Sequence, residues 1–335
     1  MTGSGDARRR PVTVVSVPPA LREQFFPDEI GARLAAIADC TLVDDHADAA
    51  LGQAEVLVTA WGFPRLDARL LDRAPRLRLV AHTGASVKPF VTDELFERGI
   101  AVTQAGQGMA RSVAEVALAF TLALLHRLPR FDHALHAGAE WSAAEQAPPR
   151  QEILGCPVGV VGASRTGRAY LELLRALGAD VSVADPTLTP ADAAGLGARL
   201  AGLDELLAGS RIVALHAPVL PETRHLLGAR ELALLPDGAG LVNTARSWLI
   251  DEAALVAELS TGRIDAALDV FDDEPLPVGH PLRALPNVLL TPHQAAGTVQ
   301  GRRRQGGIVV DEIARYAAGQ PLAHAVTRQL LARMG

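Results

Sequence analysis

Three residues of this chain have side chains suited to acid-base chemistry on an oxygen-rich substrate: Arg246, Glu274 and His293. An arginine stays charged at any working pH, and its planar fork can bind a carboxylate through two parallel hydrogen bonds. A carboxylate bonded to one imidazole nitrogen orients the ring and favours its protonated form, which makes the histidine an acid. The set could therefore reduce the carbonyl of a 2-oxo acid if a hydride donor lies beside it, because Arg246 would hold the carboxylate and carbonyl and His293 would protonate the developing alkoxide.

A glycine-rich turn, GVVGASRTG, is the candidate binding site for that hydride donor. It lies where a predicted strand turns into a helix, a context in which backbone amides and a helix N-terminus hold a pyrophosphate. Gly162 and Gly167 take the first and third glycine places of the dinucleotide-binding pattern, and Ser164 takes the middle place. By itself this turn fits a tight strand-to-helix connection without a ligand equally well.

Asp185 ends the next predicted strand, where a carboxylate accepts hydrogen bonds from the adenosine ribose. Its charge would repel a 2′-phosphate, and no arginine follows in DPTLTP to hold one. The sequence therefore favours NAD over NADP. The alternative is that Asp185 is a turn residue before Pro186.

The elements that position these residues alternate short apolar runs with longer amphipathic stretches, a pattern typical of α/β proteins with parallel sheets buried on both faces. The first group of predicted strands begins at Val12, Cys40, Glu55, Leu77 and Ile100, and the second at Pro157, Val181, Ile212, Gly240, Ile264 and Asn287. The fold class predicted is α/β with two doubly wound parallel-sheet domains.

Polar segments follow four strands of the second group, at residues 216–218, 243–246, 269–274 and 291–293. Ligands of doubly wound sheets bind outside the carboxyl ends of the strands. We therefore expect all four segments, and with them the Arg, the Glu and the His, to face one crevice.

Helix signals mark the change from one domain to the other. Ser112 followed by Glu115 predicts a capping box that starts a long buried helix through about His126. Further helices are predicted over residues 165–177 and 251–261, which are closed by Gly178 and Gly262.

A last helix is predicted after Gly297, through about Ala318, and its tail should pack back on the first domain. The predicted domains are a substrate domain at residues 1–108, an NAD-binding domain at 109–297 and a return to the substrate domain at 298–335. The first ten residues, MTGSGDARRR, are expected to form a loose tail.

Composition limits the class of protein. The chain has 335 residues, of which 49% are hydrophobic, and a net charge of −6, which argues against a nucleic-acid partner. The run Arg302 to Arg304 is interpreted as a solvated face or a domain contact. The longest apolar stretch, residues 116–125, is too short to span a membrane. Two cysteines fit a reduced cytoplasm, and the histidines show no paired metal spacing, so no metal is predicted.

From Leu154 to Gly301 the chain resembles the D-isomer-specific 2-hydroxyacid dehydrogenases. The resemblance rests on the phosphate turn and then, in the family's order, on HAPVLPET, LVNTARSWLIDEAAL, ALDVFDDEPLP and LTPHQAAGT. Weaker similarity extends toward both ends, through HTGASVKPFVTDEL and ARYAAGQPLAHAV. It implies a Rossmann NAD-binding domain inserted in a smaller flavodoxin-like substrate domain, in an NAD-dependent oxidoreductase that forms a homodimer through its NAD domain.

The resemblance also implies roles for single residues. Arg246, Glu274 and His293 match the family's catalytic residues, and Asp269 matches the aspartate that contacts the nicotinamide carboxamide. Gly84 and Ala85, with Arg246 and His293, are the predicted substrate-binding residues. The predicted cofactor-binding residues are Gly162, Ser164, Arg165, Thr166, Gly167, Asp185, His216, Pro218, Thr244, Ala245, Asp269 and His293.

Departures from the family pattern leave the substrate open. The usual Gly-x-Gly carboxylate loop keeps only Gly84, and Trp61 and Trp248 are expected either to wall the pocket or to pack in a domain interface. Glyoxylate, hydroxypyruvate, a branched 2-oxo acid and a small oxyanion such as formate or phosphite all remain candidates. The rival from another class is an NAD-sensing partner of other proteins that has no turnover.

Overall fold

The computed structural model describes residues 9–44 and 49–334, which form two compact units. Unit 1 takes in the described residues up to Met109 together with those from Gly297 onward, and unit 2 is Ala110–Ala296. Of the predicted N-terminal loose tail, residues 1–8 lie outside the described residues. Arg10 is instead held in place, because its guanidinium donates hydrogen bonds to Asp39 at 2.9 Å and to the Ala35 carbonyl at 2.7 Å.

Unit 1 is built on a five-stranded parallel sheet, and its strands confirm the five predicted from the sequence. They are β1 (Val12–Ser16), β2 (Asp39–Leu42), β3 (Val56–Thr59), β4 (Leu79–His82) and β5 (Ala101–Gln104), in the order β2-β1-β3-β4-β5. This is the flavodoxin-like order. The helices between them are α1 (Pro19–Phe25), α2 (Asp28–Ile37), α3 (Ala68–Asp72) and α4 (Asp93–Glu97).

Unit 2 begins with the long helix α5 (Ala110–Leu125), which a 3₁₀ turn, Gly106–Met109, precedes. The predicted capping box is wrong, because the helix already begins at Ala110 and buries Ser112 inside its first turn. Two helices that were not predicted follow, α6 (Leu128–His136) and α7 (Trp141–Ala144).

A seven-stranded parallel sheet forms the centre of unit 2. Its strands are β6 (Pro157–Val161), β7 (Asp180–Ala184), β8 (Arg199–Leu200), β9 (Ile212–Leu215), β10 (Gly240–Asn243), β11 (Asp265–Leu268) and β12 (Val288–Leu290), and its helices are α8 (Arg165–Ala176), α9 (Pro190–Gly195), α10 (Leu203–Gly209), α11 (Ala229–Leu234) and α12 (Glu252–Ser260). The order β12-β11-β10-β9-β6-β7-β8 is the Rossmann order extended by one strand. Six strands were predicted, and the two-residue β8 was too short to leave a pattern.

Among the described residues, one helical stretch, Gly106–Leu125, is long and apolar enough to cross a membrane; it comprises the 3₁₀ turn and α5. It is longer than the apolar run picked out from the sequence. Its most apolar window is 61% buried inside the protein, and Thr121 Oγ1 lies 2.5 Å from the Tyr170 hydroxyl of α8. In unit 2, α5 is thus a core helix that packs on α8 and on the sheet.

The C-terminal segment belongs to unit 1. Helix α13 (Val299–Ala317) packs on α1, α2 and β4, and the Val326 amide then donates to the Val102 carbonyl of β5 at 2.7 Å. A short helix that was not predicted, α14 (Arg328–Arg333), follows. The interpretation of the arginine run in α13 as a solvated face is wrong for Arg302, which is only 9% exposed, whereas its neighbour Arg303 is exposed.

Candidate active site

The predicted polar segments follow the carboxyl ends of four neighbouring parallel strands. β9, β10, β11 and β12 are adjacent in the sheet and run in the same direction, so residues 216–218, 243–246, 269–274 and 291–293 come to one edge of unit 2. The order of strands and polar segments along the sequence is enough to explain why these segments meet at one edge of the sheet.

His293 and Glu274 form a hydrogen-bonded pair at this edge. Nδ1 of His293 lies 2.7 Å from Glu274 Oε2, and the other carboxylate oxygen accepts a hydrogen bond from the Phe271 amide at 3.1 Å. With Glu274 ionised, Nδ1 carries the proton and donates it, so Nε2 is the ring nitrogen free for proton exchange. Both side chains are partly exposed, 45% for His293 and 37% for Glu274, so a small molecule can reach them.

Asp269 fixes the loop that carries His293. Its side chain is buried, and its Oδ1 accepts hydrogen bonds from Thr291 Oγ1 at 2.5 Å and the Gln294 amide at 2.9 Å, while Oδ2 accepts from the Ala295 amide at 2.9 Å. His293 itself has a positive φ of 53°, an uncommon conformation for a residue with a side chain. These bonds hold it there, a role that the sequence did not suggest for Asp269; its contact with a nicotinamide stays a prediction.

Arg246 leaves the end of β10 in a turn that Asn243 closes. The Asn243 side chain donates to the Arg246 carbonyl at 2.9 Å and accepts from the Ala245 amide at 3.0 Å. Burial lowers the pKa of the Arg246 guanidinium, and the nearby Glu274 carboxylate opposes that change. Glu274 is therefore close enough to act on both Arg246 and His293. Asn243 was predicted to lie in this polar segment, but its part in shaping the turn was not predicted.

The glycine-rich turn needs both of its glycines. Gly162 has a φ of +95°, and a Cβ there would lie 2.5 Å from the Ala217 amide nitrogen. A Cβ on Gly167 would overlap the Gly162 carbonyl oxygen. Ser164 is the N-cap of α8, and its hydroxyl accepts a hydrogen bond from the Gly167 amide at 3.3 Å. Ser164, which takes the middle glycine place, therefore caps the N-terminus of α8.

Asp185 lies beside this turn and is held from two sides. Its carboxylate accepts hydrogen bonds from the Ala163 amide at 2.7 Å and from both the amide and the hydroxyl of Thr187, at 2.9 and 2.6 Å. Partial burial raises the pKa of Asp185, but the hydrogen bonds outweigh it and leave the pKa below its ordinary value. Asp185 is therefore a fixed anion.

A cleft of about 900 Å³ connects the turn with Asp185. Gly162, Ser164, Asp185, Ala217 and Pro218 all line it, and Glu205 and Glu222 add further negative charge. Arg165 and Thr166 are the first two residues of α8, so their amides belong to the helix end that begins at Ser164. The cleft has room and donors for a dinucleotide and is unfavourable to an additional phosphate.

His216 and Thr244 are buried at the strand ends, and within the described chain neither ring nitrogen of His216, nor Thr244 Oγ1, has a hydrogen-bond partner. The His216 ring packs on Tyr170 with centroids 5.0 Å apart, next to Gly167, and burial lowers its pKa to about 3. The His216 ring is therefore neutral and packs next to the glycine turn. Direct contact of either residue with a cofactor stays a prediction.

Gly84 and Ala85 lie in unit 1, just after β4. The Gly84 carbonyl accepts from the Ala105 amide at 2.9 Å, and a Cβ on Gly84 would lie 2.7 Å from His82 Nε2 and 3.0 Å from the Trp61 indole. Trp61 is thus packed against the predicted carboxylate loop.

Trp248 is fixed by the loop before it in the sequence. Its indole N–H donates to the Leu220 carbonyl at 3.3 Å, and the Arg224 guanidinium lies 5.0 Å from its ring. Trp248 therefore packs on a loop of its own unit, and both a place in the pocket wall and a place in a domain interface stay predictions. Across residues 9–44 and 49–334, no three His, Cys, Asp or Glu side chains form a group that could hold a metal ion.

Known proteins resemble this chain in both sequence and fold. The sequence profile described as the NAD-binding domain of the D-isomer specific 2-hydroxyacid dehydrogenases matches residues 118–295. The chain is 34% identical over 272 residues to a glyoxylate reductase of Aeropyrum pernix, covering 80% of this chain and 81% of that one. The chain belongs to the D-isomer specific 2-hydroxyacid dehydrogenase family, and its unit 2 contains the NAD-binding domain.

Other relatives differ in length or identity. A D-3-phosphoglycerate dehydrogenase of Mycobacterium bovis is 37% identical over 283 residues, 84% of this chain but 53% of that one, so this chain spans about half the length of such relatives. The TT0316 protein of Thermus thermophilus superposes with a TM-score of 0.78 at 30% identity, over 94% of this chain and all of that one. The fold is also that of a D-2-hydroxyisocaproate dehydrogenase, with a TM-score of 0.83 at 20% identity and cover of 94% of this chain and all of that one.

Proposed function

We propose that the chain is an NAD-dependent dehydrogenase that interconverts a small 2-oxo acid and its D-2-hydroxy acid. The observation that carries this proposal is the 2.7 Å hydrogen bond from His293 Nδ1 to Glu274, at the same sheet edge as Arg246. An oriented acid beside a cation suits the reduction of a carbonyl that is next to a carboxylate.

The cofactor site fits NAD. Gly162 and Gly167 leave no room for side chains in the turn, the amides at the start of α8 would hold the pyrophosphate, and Asp185 would accept from the ribose hydroxyls. The bound cofactor supplies or accepts the hydride equivalent. Asp269 would hold the loop of His293 and offer its remaining acceptor capacity to the carboxamide.

The protein's own groups would do the rest. Arg246 would bind the substrate carboxylate and polarise the carbonyl. His293 would give its Nε2 proton to the carbonyl oxygen in reduction and take it back in oxidation, while Glu274 stabilises the imidazolium across Nδ1. Gly84 and Ala85 are proposed to add backbone amides to the carboxylate contact.

The test is NADH oxidation by the purified protein with a panel of glyoxylate, hydroxypyruvate, 3-phosphohydroxypyruvate and branched 2-oxo acids, with NADPH in parallel. We expect turnover with NADH, its loss in His293→Ala with NADH affinity retained, and loss of both turnover and 2-oxo acid binding in Arg246→Ala. Full turnover by either variant would refute the assignment. NADH binding without turnover across the panel would favour the NAD sensor, and oxidation of formate or phosphite alone would favour the oxyanion dehydrogenase.

We also propose a cytoplasmic homodimer. Leu128, Leu135 and Trp141, on α6 and α7, are 54%, 48% and 71% exposed, which is unusual for large apolar side chains that remain in water. Cys40 and Cys156 are both free, as in a reducing compartment. Light scattering after gel filtration tests the dimer, and charged substitutions at Leu135 and Trp141 should yield a monomer.

A further inference from the structure

Arg302 is a buried cation that the proposed mechanism does not use. Its guanidinium lies against two aromatic rings of unit 1 that also contact each other. Its central carbon is 4.5 Å from the Trp61 ring centroid and 5.1 Å from that of Phe25, and the two ring centroids are 5.7 Å apart. Phe25 is fully buried, whereas Trp61 is 40% exposed. The two rings therefore hold the guanidinium in a corner, which we call the clamp, and the Trp61 side of the clamp is partly open to solvent.

No carboxylate among the described residues pairs with this guanidinium. Nε and Nη1 are buried and have no hydrogen-bond partner in the described chain, and Nη2 is the one guanidinium nitrogen outside that buried set. Burial alone lowers the pKa of Arg302. A buried charge without a counter-ion is costly, and two aromatic faces offset only part of that cost, so the site favours an anion.

The clamp is contiguous with the predicted carboxylate loop. Trp61 contacts Arg302 on one side, and on the other its indole lies 3.0 Å from the Cβ position of Gly84. His82 completes the cluster; its Nδ1 lies 3.0 Å from Thr59 Oγ1, and burial lowers its pKa to about 3, which keeps the ring neutral. One indole thus separates Arg302 from the loop proposed to hold the first carboxylate.

We propose that Arg302 is a specificity-determining residue that binds a second anionic group of the substrate, so that the protein acts on 2-oxo acids with a terminal carboxylate or phosphate. This inference rests on the proposed function. A planar guanidinium binds either group through paired hydrogen bonds, and the Trp61 ring would keep its plane oriented.

The experiment compares 2-oxo acids of matched length with and without the second charge, using the full chain and NADH. The pairs are oxaloacetate with 2-oxobutyrate, 2-oxoglutarate with 2-oxopentanoate, and 3-phosphohydroxypyruvate with hydroxypyruvate. We expect higher kcat/KM for the charged member of at least one pair, and the pair that shows it distinguishes a carboxylate from a phosphate.

Arg302→Gln should lower kcat/KM for that charged substrate about 100-fold and for its uncharged partner less than about threefold. Arg302→Lys, which keeps the charge but not the plane, should retain part of the preference. Arg303→Gln is the matched control, since it removes the same charge from the next, exposed position of α13 and should change neither substrate.

Equal losses for both members of a pair in Arg302→Gln, or a wild-type preference for the uncharged members, would overturn the inference while the proposed function stands. If no 2-oxo acid is turned over, the proposed function fails, and calorimetry of 2-oxoglutarate and 3-phosphohydroxypyruvate with the NADH-loaded protein decides the subsite. Binding that is lost in Arg302→Gln and kept in Arg303→Gln would support the subsite, and no difference between the variants would refute it.

Discussion

Replacing Glu274 by glutamine isolates the contribution of its charge to the proposed acid-base step. In the wild type, Nδ1 of His293 donates to Glu274 at 2.7 Å, and Glu274 Oε1 accepts from the Phe271 amide at 3.1 Å. A glutamine can keep its carbonyl oxygen on the Phe271 amide, but it then presents its NH₂ group to Nδ1. That arrangement makes Nδ1 an acceptor and opposes protonation of the ring.

The size of the effect follows from the geometry and the exposure of the pair. A hydrogen bond to a charged group contributes about 1.5–3 kcal/mol. Both side chains are more than a third exposed, so solvent screening reduces this to about 1–2 kcal/mol. Since about 1.4 kcal/mol corresponds to a tenfold change in rate, kcat/KM should fall about 5- to 30-fold.

The assay is the NADH-dependent reduction of the best substrate from the panel, with kcat, KM and NADH affinity measured separately. The loss should appear mainly in kcat, because the pair acts on the reacting proton, and NADH affinity should not change. Asp273→Asn is the control, since it removes a carboxylate from the exposed neighbouring position. A Glu274→Gln enzyme within twofold of the wild type, or one no different from Asp273→Asn, would refute the role given to Glu274.

Three further predictions concern the cofactor turn and the buried histidines. Gly162→Ala should weaken NADH binding more than about tenfold and destabilise the protein by about 2–3 kcal/mol in urea unfolding, because its Cβ would meet backbone at 2.5 Å, whereas Gly195→Ala, with open space around it, should do neither. Asp185→Ser should raise kcat/KM with NADPH relative to kcat/KM with NADH by about tenfold or more, because it removes the anion that repels a 2′-phosphate. An unchanged ratio would contradict the role of Asp185. Burial lowers the pKa of His82 and His216 to about 3, so the unfolded chain takes up protons below pH 6.5 that the folded chain does not. The free energy of unfolding, measured in urea, should therefore be full well above pH 6.5 and fall by about 2 kcal/mol for each histidine between pH 7 and pH 5. His216→Phe should remove the contribution of one histidine to that loss.

Much of the fold and the edge that carries the candidate site could be predicted because both depend on local patterns. Apolar runs marked eleven of the twelve strands, and the parallel order brought the segments with Arg246, Glu274 and His293 to one edge. Of the elements that were missed, β8, α7 and α14 are short, and α6 is an amphipathic helix that follows closely on the long helix α5. Ser112 failed as a helix start because the residues before it continue the helical backbone from the 3₁₀ turn.

The sequence by itself determined the family, the two parallel sheets and the side chains at the ends of the strands, since residue type, spacing and strand order are all written locally along the chain. Only the tertiary structure decided which carboxylate bonds which partner, as with Asp269 and the loop of His293. It also decided that Arg302, in a run of three arginines, lies buried against the rings of Phe25 and Trp61. Neither result could be derived from the sequence, because burial and pairing depend on side chains that are distant in the chain and meet only when the units fold.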